Sequence, residues 1–237
     1  MEAPRLSKND SSVLGALFDP ESSLSSTVQI DNCLSEDFDS SSMRQIQERE
    51  RSVLRLLDQE NPAARDVQSA LSELTAIIEE EPSYASAFNN RAQVRRLLTK
   101  DADLPGNPDL VADIFKDLAR AISLATPNTL RDTVSRMDAN VLASAHTHRG
   151  YLLLMASKSE RNRGMLGAIP SLKDETTDSL EEAASRELGT GGRYGNETAR
   201  QLAVKTNPYA KLCGSIVREA LMKEVSDYYK PHISIAR

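Results

Sequence analysis

The sequence predicts an all-α fold, a solenoid of three helix–turn–helix repeats with a C-terminal capping helix. Two observations lead there. Aromatic residues are 4% of the chain, tryptophan is absent and there are only 10 glycines in 237 residues, a composition that disfavours an all-β domain. The apolar set Val67, Ala70, Leu71, Leu74, Ile77 and Ile78, followed by Pro82, has helical spacing. It recurs 44 residues later, position for position, as Val111, Ile114, Phe115, Leu118, Ala121 and Ile122, followed by Pro127.

Each of these helices has a partner before it. Ile46, Val53, Leu54 and Leu57 form the apolar stripe of the first, which Asn61-Pro62 ends. Tyr84 to Leu98, with Phe88, Ala92 and Leu98, forms the leading helix of the second unit. The third unit starts near Thr129, runs to about Ser157 and is followed by a weaker trailing helix, Thr177 to Leu188. The period exceeds the ~34 residues of a minimal helical-hairpin repeat. The surplus lies in residues 99–108, which hold two prolines and a glycine and predict an enlarged turn. A second insertion spans 158–174. Gly189 to Gly195 predicts a flexible connector, Glu197 to Lys205 a further helix, and 207–237 a capping helix and tail, with Leu212, Ile216, Ala220 and Val225 mostly on one face. The repeats thus occupy 43–206.

Residues 1–42 form an N-terminal arm. Ser22 to Ser42 is rich in serine and aspartate and offers too little apolar surface to offset ordering, so a disordered linker is expected. Before it, Val13, Leu14, Leu17 and Phe18 share one face of a short helix, about 11–19, that Pro20 ends. Such a helix docks either on its own domain or on a partner.

Charge and cysteine content narrow the function. With 35 acidic and 29 basic residues the net charge is −6 and the pI about 5.3, without the basic excess of a nucleic-acid binder. Cys33 and Cys213 are the only cysteines, which excludes a disulfide framework and fits a reducing, cytoplasmic or nuclear compartment. Runs such as Tyr151 to Met155 are too short to span a membrane, and Met1 to Asp10 lacks the apolar core of a secretory signal.

The segment Ala85-Ser86-Ala87-Phe88-Asn89-Asn90-Arg91-Ala92-Gln93 resembles the leading helix of a tetratricopeptide repeat, with Phe88 in the aromatic slot and Ala92 in the small slot. Leu118 and Ala121 fill the corresponding slots of the trailing helix, and Arg149-Gly150 repeats the Arg91-Ala92 pair. More narrowly, three pieces resemble the tetratricopeptide repeat protein 36 family. They are Val13 to Pro20, Ala85 to Leu97, and Asn207-Pro208-Tyr209-Ala210-Lys211-Leu212-Cys213. The resemblance implies a soluble, non-enzymatic adaptor that needs no cofactor, with links to Hsp70-type chaperones and to control of tyrosine breakdown. The expected partners are therefore proteins, a client enzyme or an Hsp70-type chaperone, met through a groove-bound peptide.

On a leading helix Arg91 and Arg95 share a face. With Asn89, Asn90, Arg96 and, one repeat on, His148 and Arg149, they form a candidate partner-binding strip for an acidic or C-terminal peptide. The competing role for the same residues is to satisfy inter-helix hydrogen bonds and pair with acids such as Glu79, Glu80 or Glu81. The two-carboxylate clamp of chaperone-binding tetratricopeptide domains would map to Arg55, Gln59, Asn90, Ser144 and His148, where the third-repeat cations are missing. That disfavours capture of a chaperone tail. His146-Thr147-His148 points its two imidazoles to different faces and does not suggest metal. Gly189–Gly195 resembles a phosphate loop only in composition, since no strand is expected before it, and a nucleotide-using enzyme is the least favoured alternative. No Ser/His/acid or Cys/His set stands out for catalysis.

Overall fold

The computed structural model describes residues 28, 30, 31, 41–59, 61–127, 133–207 and 216–225. The docking helix expected at 11–19, with Val13, Leu14, Leu17 and Phe18, lies outside them, as does most of the Ser/Asp-rich linker. The described residues are almost all helical. The helices are α1 (Ser41–Leu56), α2 (Ala64–Glu80), α3 (Ala85–Arg96), α4 (Pro108–Ala125), α5 (Arg136–Ser157), α6 (Glu160–Arg163), α7 (Thr177–Arg193), α8 (Glu197–Thr206) and α9 (216–225).

The starts of these helices follow from local chemistry. Pro108 stands in the first turn of α4, where its missing N–H costs nothing. Ser135 caps α5: its hydroxyl oxygen accepts from the Asp138 amide at 3.0 Å. That puts the start of α5 at Arg136 rather than near Thr129. Thr176 and Asn196 cap α7 and α8 in the same way.

Successive helices pack in sequence, α1 on α2, α2 on α3, α3 on α4, α4 on α5, α5 on α7 and α7 on α8, and α3 also touches α5. Val67, Ala70, Leu74 and Ile77 of α2 are buried, and so are Val111, Ile114, Phe115, Leu118 and Ala121 of α4, so the two matching stripes both face the core. The core has two clusters. One lies among α1–α3 and the other runs from α3 to α7, and Ile78 packs against both.

Both insertions are ordered and adjoin each other. Residues Asp101–Gly106 form a 3-10 turn that buries Leu104 completely. The second insertion contributes α6 and the 3-10 turn Gly164–Leu166, whose Met165 and Leu166 are likewise fully buried. A Cβ on Gly164 would sit 3.8 Å from the Pro105 carbonyl oxygen, so the two turns lie side by side.

Three expectations are corrected. Part of the arm is structured: Ile30–Asp31 (β1) pairs in parallel with Val134–Ser135 (β2), and Val28 packs against the larger core cluster. The glycine-rich stretch is not a flexible connector or phosphate loop, because α7 continues to Arg193 and includes Gly189, Gly191 and Gly192. Only Gly195 takes a positive φ (105°), and its amide bonds the Gly192 carbonyl while that of Asn196 bonds Gly191, closing the helix in a Schellman turn. The third concerns the C-terminal helix. Residues 216–225 are helical, but all are exposed, including Ile216, Val217, Leu221, Met222 and Val225. The described part of α9 therefore does not cover the stack as a cap would.

Gly191 and Gly192 are contact residues. A Cβ on Gly191 would lie 2.6 Å from Thr147 Oγ1 and 3.1 Å from the Ala143 carbonyl oxygen, and one on Gly192 would lie 2.9 Å from Arg200 Cα. At Gly189 the nearest atom would be Ala203 Cβ at 4.0 Å. Two alanine substitutions in one helix should therefore have opposite signs. Gly189→Ala should stabilise by roughly 0.5–1 kcal/mol through helix propensity. Gly191→Ala should destabilise by about 1–3 kcal/mol through overpacking. Thermal or urea unfolding of the two variants checks both.

Candidate functional site

A concavity with a mixed polar and apolar lining lies between α3, α5 and the α7–α8 turn. It holds about 850 Å³. Gln93, Arg96 and Leu97 come from the end of α3. Asn140, Ala143, Ser144, Thr147, His148 and Tyr151 come from α5, and Tyr194, Gly195, Asn196, Thr198 and Leu202 close the third side. The α5 contributors are spaced i, i+3/i+4, i+7/i+8 and i+11, one face of a helix. The Schellman turn at Gly195 swings Tyr194 and Asn196 over that face. Tyr194 lies nearly parallel to the His146 ring, centroids 6.3 Å apart.

Of the seven residues expected to form a partner-binding strip, only Arg96 and His148 line this groove. Arg91 turns into the α3–α4 seam, where Nε and Nη2 donate to the two oxygens of Asp117 at 2.9 and 2.7 Å. Arg95 joins it on the same carboxylate, which is only 3% exposed. Asn90 donates to Glu50 Oε1 at 2.8 Å, and the Tyr84 hydroxyl donates to the other oxygen at 2.6 Å. Asn89 is buried and its Oδ1 has no hydrogen-bond partner among the described residues. Arg149 pairs with Glu187 on α7, which also bonds His146 Nδ1 at 2.8 Å. The inter-helix role thus accounts for these cations, with Asp117, Asp101 and Glu187 as partners in place of Glu79, Glu80 and Glu81. The i, i+4 spacing puts Arg91 and Arg95 on one face without specifying which face.

At the groove itself Arg96 pairs with Asp101, whose other oxygen accepts from the Tyr151 hydroxyl. Burial opposes the charge on Asp101, yet Tyr151 and Arg96 outweigh it and hold the carboxyl below its usual range. His148 goes the other way. Burial, reinforced by the Arg96 charge, lowers it to about 4, with Asp101 opposing. Its Nδ1 and Arg96 Nη1 are buried without a hydrogen-bond partner among the described residues. At neutral pH His148 is uncharged. The groove therefore carries no unbalanced charge, and apart from Arg96 and His148 its polar lining consists of amides and hydroxyls. Gln93 already donates across it to Ser144 at 2.8 Å.

His146 and His148 diverge, one to Glu187 and the other to Arg96 and Asp101. Among the described residues no three potential metal-ligating side chains gather. No helix among them is long and apolar enough to cross a membrane.

Two outcomes follow from these ion pairs. Asp117→Ala would leave two largely buried guanidiniums without their shared anion and should destabilise the fold by about 3 kcal/mol, read by urea unfolding. His148 protonates near its ordinary value in the unfolded chain and only near 4 in the folded one. Stability should therefore fall as pH drops through that window. His148→Gln removes this contribution, so the variant should lose roughly 2 kcal/mol less than the parent between pH 6.5 and 4. Paired unfolding curves at those two pH values measure the difference, since Asp101 and Glu187 titrate in both proteins.

No protein-family model and no solved structure matches the chain. Among curated proteins, the L-tyrosine degradation gene cluster protein hmgX of Aspergillus fumigatus is 46% identical over 94% of this chain and 94% of that protein. Tetratricopeptide repeat protein 36 of Danio rerio is 30% identical over 92% of the chain and 94% of that protein. The protein of the same name from Mus musculus is 28% identical over 90% and 92%. The fungal match is much stronger, which corrects both the membership read from the sequence and its tetratricopeptide-repeat label. The likeness at Val13–Pro20, Ala85–Leu97 and Asn207–Cys213 is that of a more distant relative. The chain belongs to the family of the L-tyrosine degradation gene cluster protein hmgX.

Proposed function

We propose that this chain is a non-catalytic adaptor whose paired helices stack as three hairpins and offer the groove between α3, α5 and α7–α8 to another polypeptide, an enzyme of tyrosine degradation. The observation that carries the reading is the lining of that groove. Uncharged amides and hydroxyls (Gln93, Asn140, Ser144, Asn196, Thr198) alternate with exposed apolar side chains at Leu97 and Tyr151. Such a surface suits backbone amides and apolar side chains of an extended segment. The name of the fungal relative supplies the metabolic setting. The weaker likeness to the tetratricopeptide repeat protein 36 sequences supports a general role in binding proteins.

The chaperone-tail alternative loses support at three of its five positions. Asn90 is taken by Glu50, Ser144 by Gln93, and His148 is neutral at physiological pH. Arg55 is mostly exposed and near Glu48. A carboxylate facing Ser144 and neutral His148 lacks the charge-assisted bonds worth ~1.5–3 kcal/mol each.

Leu97 and Asn140 are exposed, so substitutions there should leave the fold intact. Affinity capture from native cells with mass spectrometry should enrich an enzyme of tyrosine degradation. Leu97→Glu or Asn140→Arg should reduce its recovery at least tenfold, whereas Arg55→Glu should not. Equal recovery with both groove variants, or no such enzyme at all, would refute the reading.

A further inference from the structure

We propose that a second cavity, on the opposite face of α5 from the groove, is a binding site for a small anion with an apolar body. This site is independent of the adaptor surface proposed above.

The cavity holds about 500 Å³ and is walled by α4, α5, α7 and the second insertion. That size falls in the range of small-molecule sites. On α5, Arg149 follows Asn140 by about two and a half turns, which sets it on the face away from the groove. Small side chains make the room. Ala112 and Ala119 on α4, Ala168 on the insertion and Ala183 on α7 stand where larger residues would fill the space.

The walls are apolar. Phe115 and Leu153 are buried core residues, and the insertion adds Ile169 and Leu172, which pack on the same core and stay only partly buried. An apolar ligand body placed against them would leave water. The charge of the lining sets the sign of the ligand. Its ionisable side chains are Lys116, Arg149 and Glu187. Arg149 and Glu187 neutralise each other across the α5–α7 seam. The Lys116 side chain has no ion pair or hydrogen bond among the described residues, and neither has the Ser171 hydroxyl, also in the lining. One unmatched positive charge and a free hydroxyl donor thus stand beside apolar walls. A cationic ligand would be repelled by Lys116, and a neutral one would forgo the charge-assisted bond.

The test titrates the full-length chain with anilinonaphthalene sulfonate, an aromatic monoanion, and with phenylnaphthylamine, the same body without the sulfonate, both read by fluorescence. The sulfonate should bind saturably at one site per chain. Lys116 and Ala119 are exposed, so both positions tolerate substitution. Lys116→Glu should weaken sulfonate binding at least tenfold and phenylnaphthylamine binding less than threefold. Ala119→Trp, which fills the cavity, should weaken both at least tenfold. Leu97→Glu, at the groove, should change neither. Each variant is compared at an unchanged urea-unfolding midpoint, and Lys116→Gln, with the charge removed rather than reversed, should give an intermediate loss. Absence of saturable binding, full affinity in Lys116→Glu or Ala119→Trp, an equal loss of both dyes in Lys116→Glu, or loss in Leu97→Glu would overturn the proposal.

Discussion

The groove depends on how closely α7 lies against α5. A Cβ on Gly150 would come within 2.8 Å of Leu188 Cγ, and one on Gly191 would collide with Thr147. The two backbones approach at both points because no side chain stands between them. Two consequences follow. Glu187 comes within reach of both His146 and Arg149, although burial opposes its charge; their hydrogen bonds hold its carboxyl below the usual range. The helix end also arrives where the Schellman turn can place Tyr194 over the α5 face. Gly192 repeats the device toward α8, against Arg200. Spreading this seam would remove the third wall of the groove.

The acidic side chains divide their work by interface. Glu50 ties α1 to Tyr84 and Asn90, Asp117 ties α4 to Arg91 and Arg95, Asp101 links the first insertion to Arg96 and Tyr151, and Glu187 ties α7 to α5. Apolar burial supplies the bulk of the packing energy, whereas each buried acid finds its partners in only one relative placement of two helices. A slip of one turn would leave Asp117 or Glu50 buried without its donors, which costs several kcal/mol. The cations of the expected strip are thereby spent on alignment, and the groove left open carries no unpaired charge.

Helix content and core faces were legible because burial imposes a 3.6-residue period, and the stripes at 67–78 and 111–122 are clear instances. Three features were not legible, each for a physical reason. Glycine serves both turns and close helix contacts, and composition does not separate Gly195, which needs φ of 105°, from Gly191, which needs the absence of a Cβ. A serine-rich arm hides a single β pairing, because two residues beside Val134–Ser135 leave no period to detect. The expected strip centres on the cations and amides of α3, while apart from Arg96 and His148 the groove uses Asn140, Ser144, Thr147 and Tyr151, a polar stripe of clear helical spacing that signals a solvated face as readily as a binding one.

A neutral groove on an acidic chain changes what sets affinity. Rim ion pairs contribute only ~0–1 kcal/mol each, so recognition rests on apolar anchors and on amide hydrogen bonds that exclude water. Both are properties of segment shape. A folded enzyme presenting a large surface supplies more of both than a short free peptide does. The lack of charge that argues against a tail clamp thus also favours a partner that covers more than the groove.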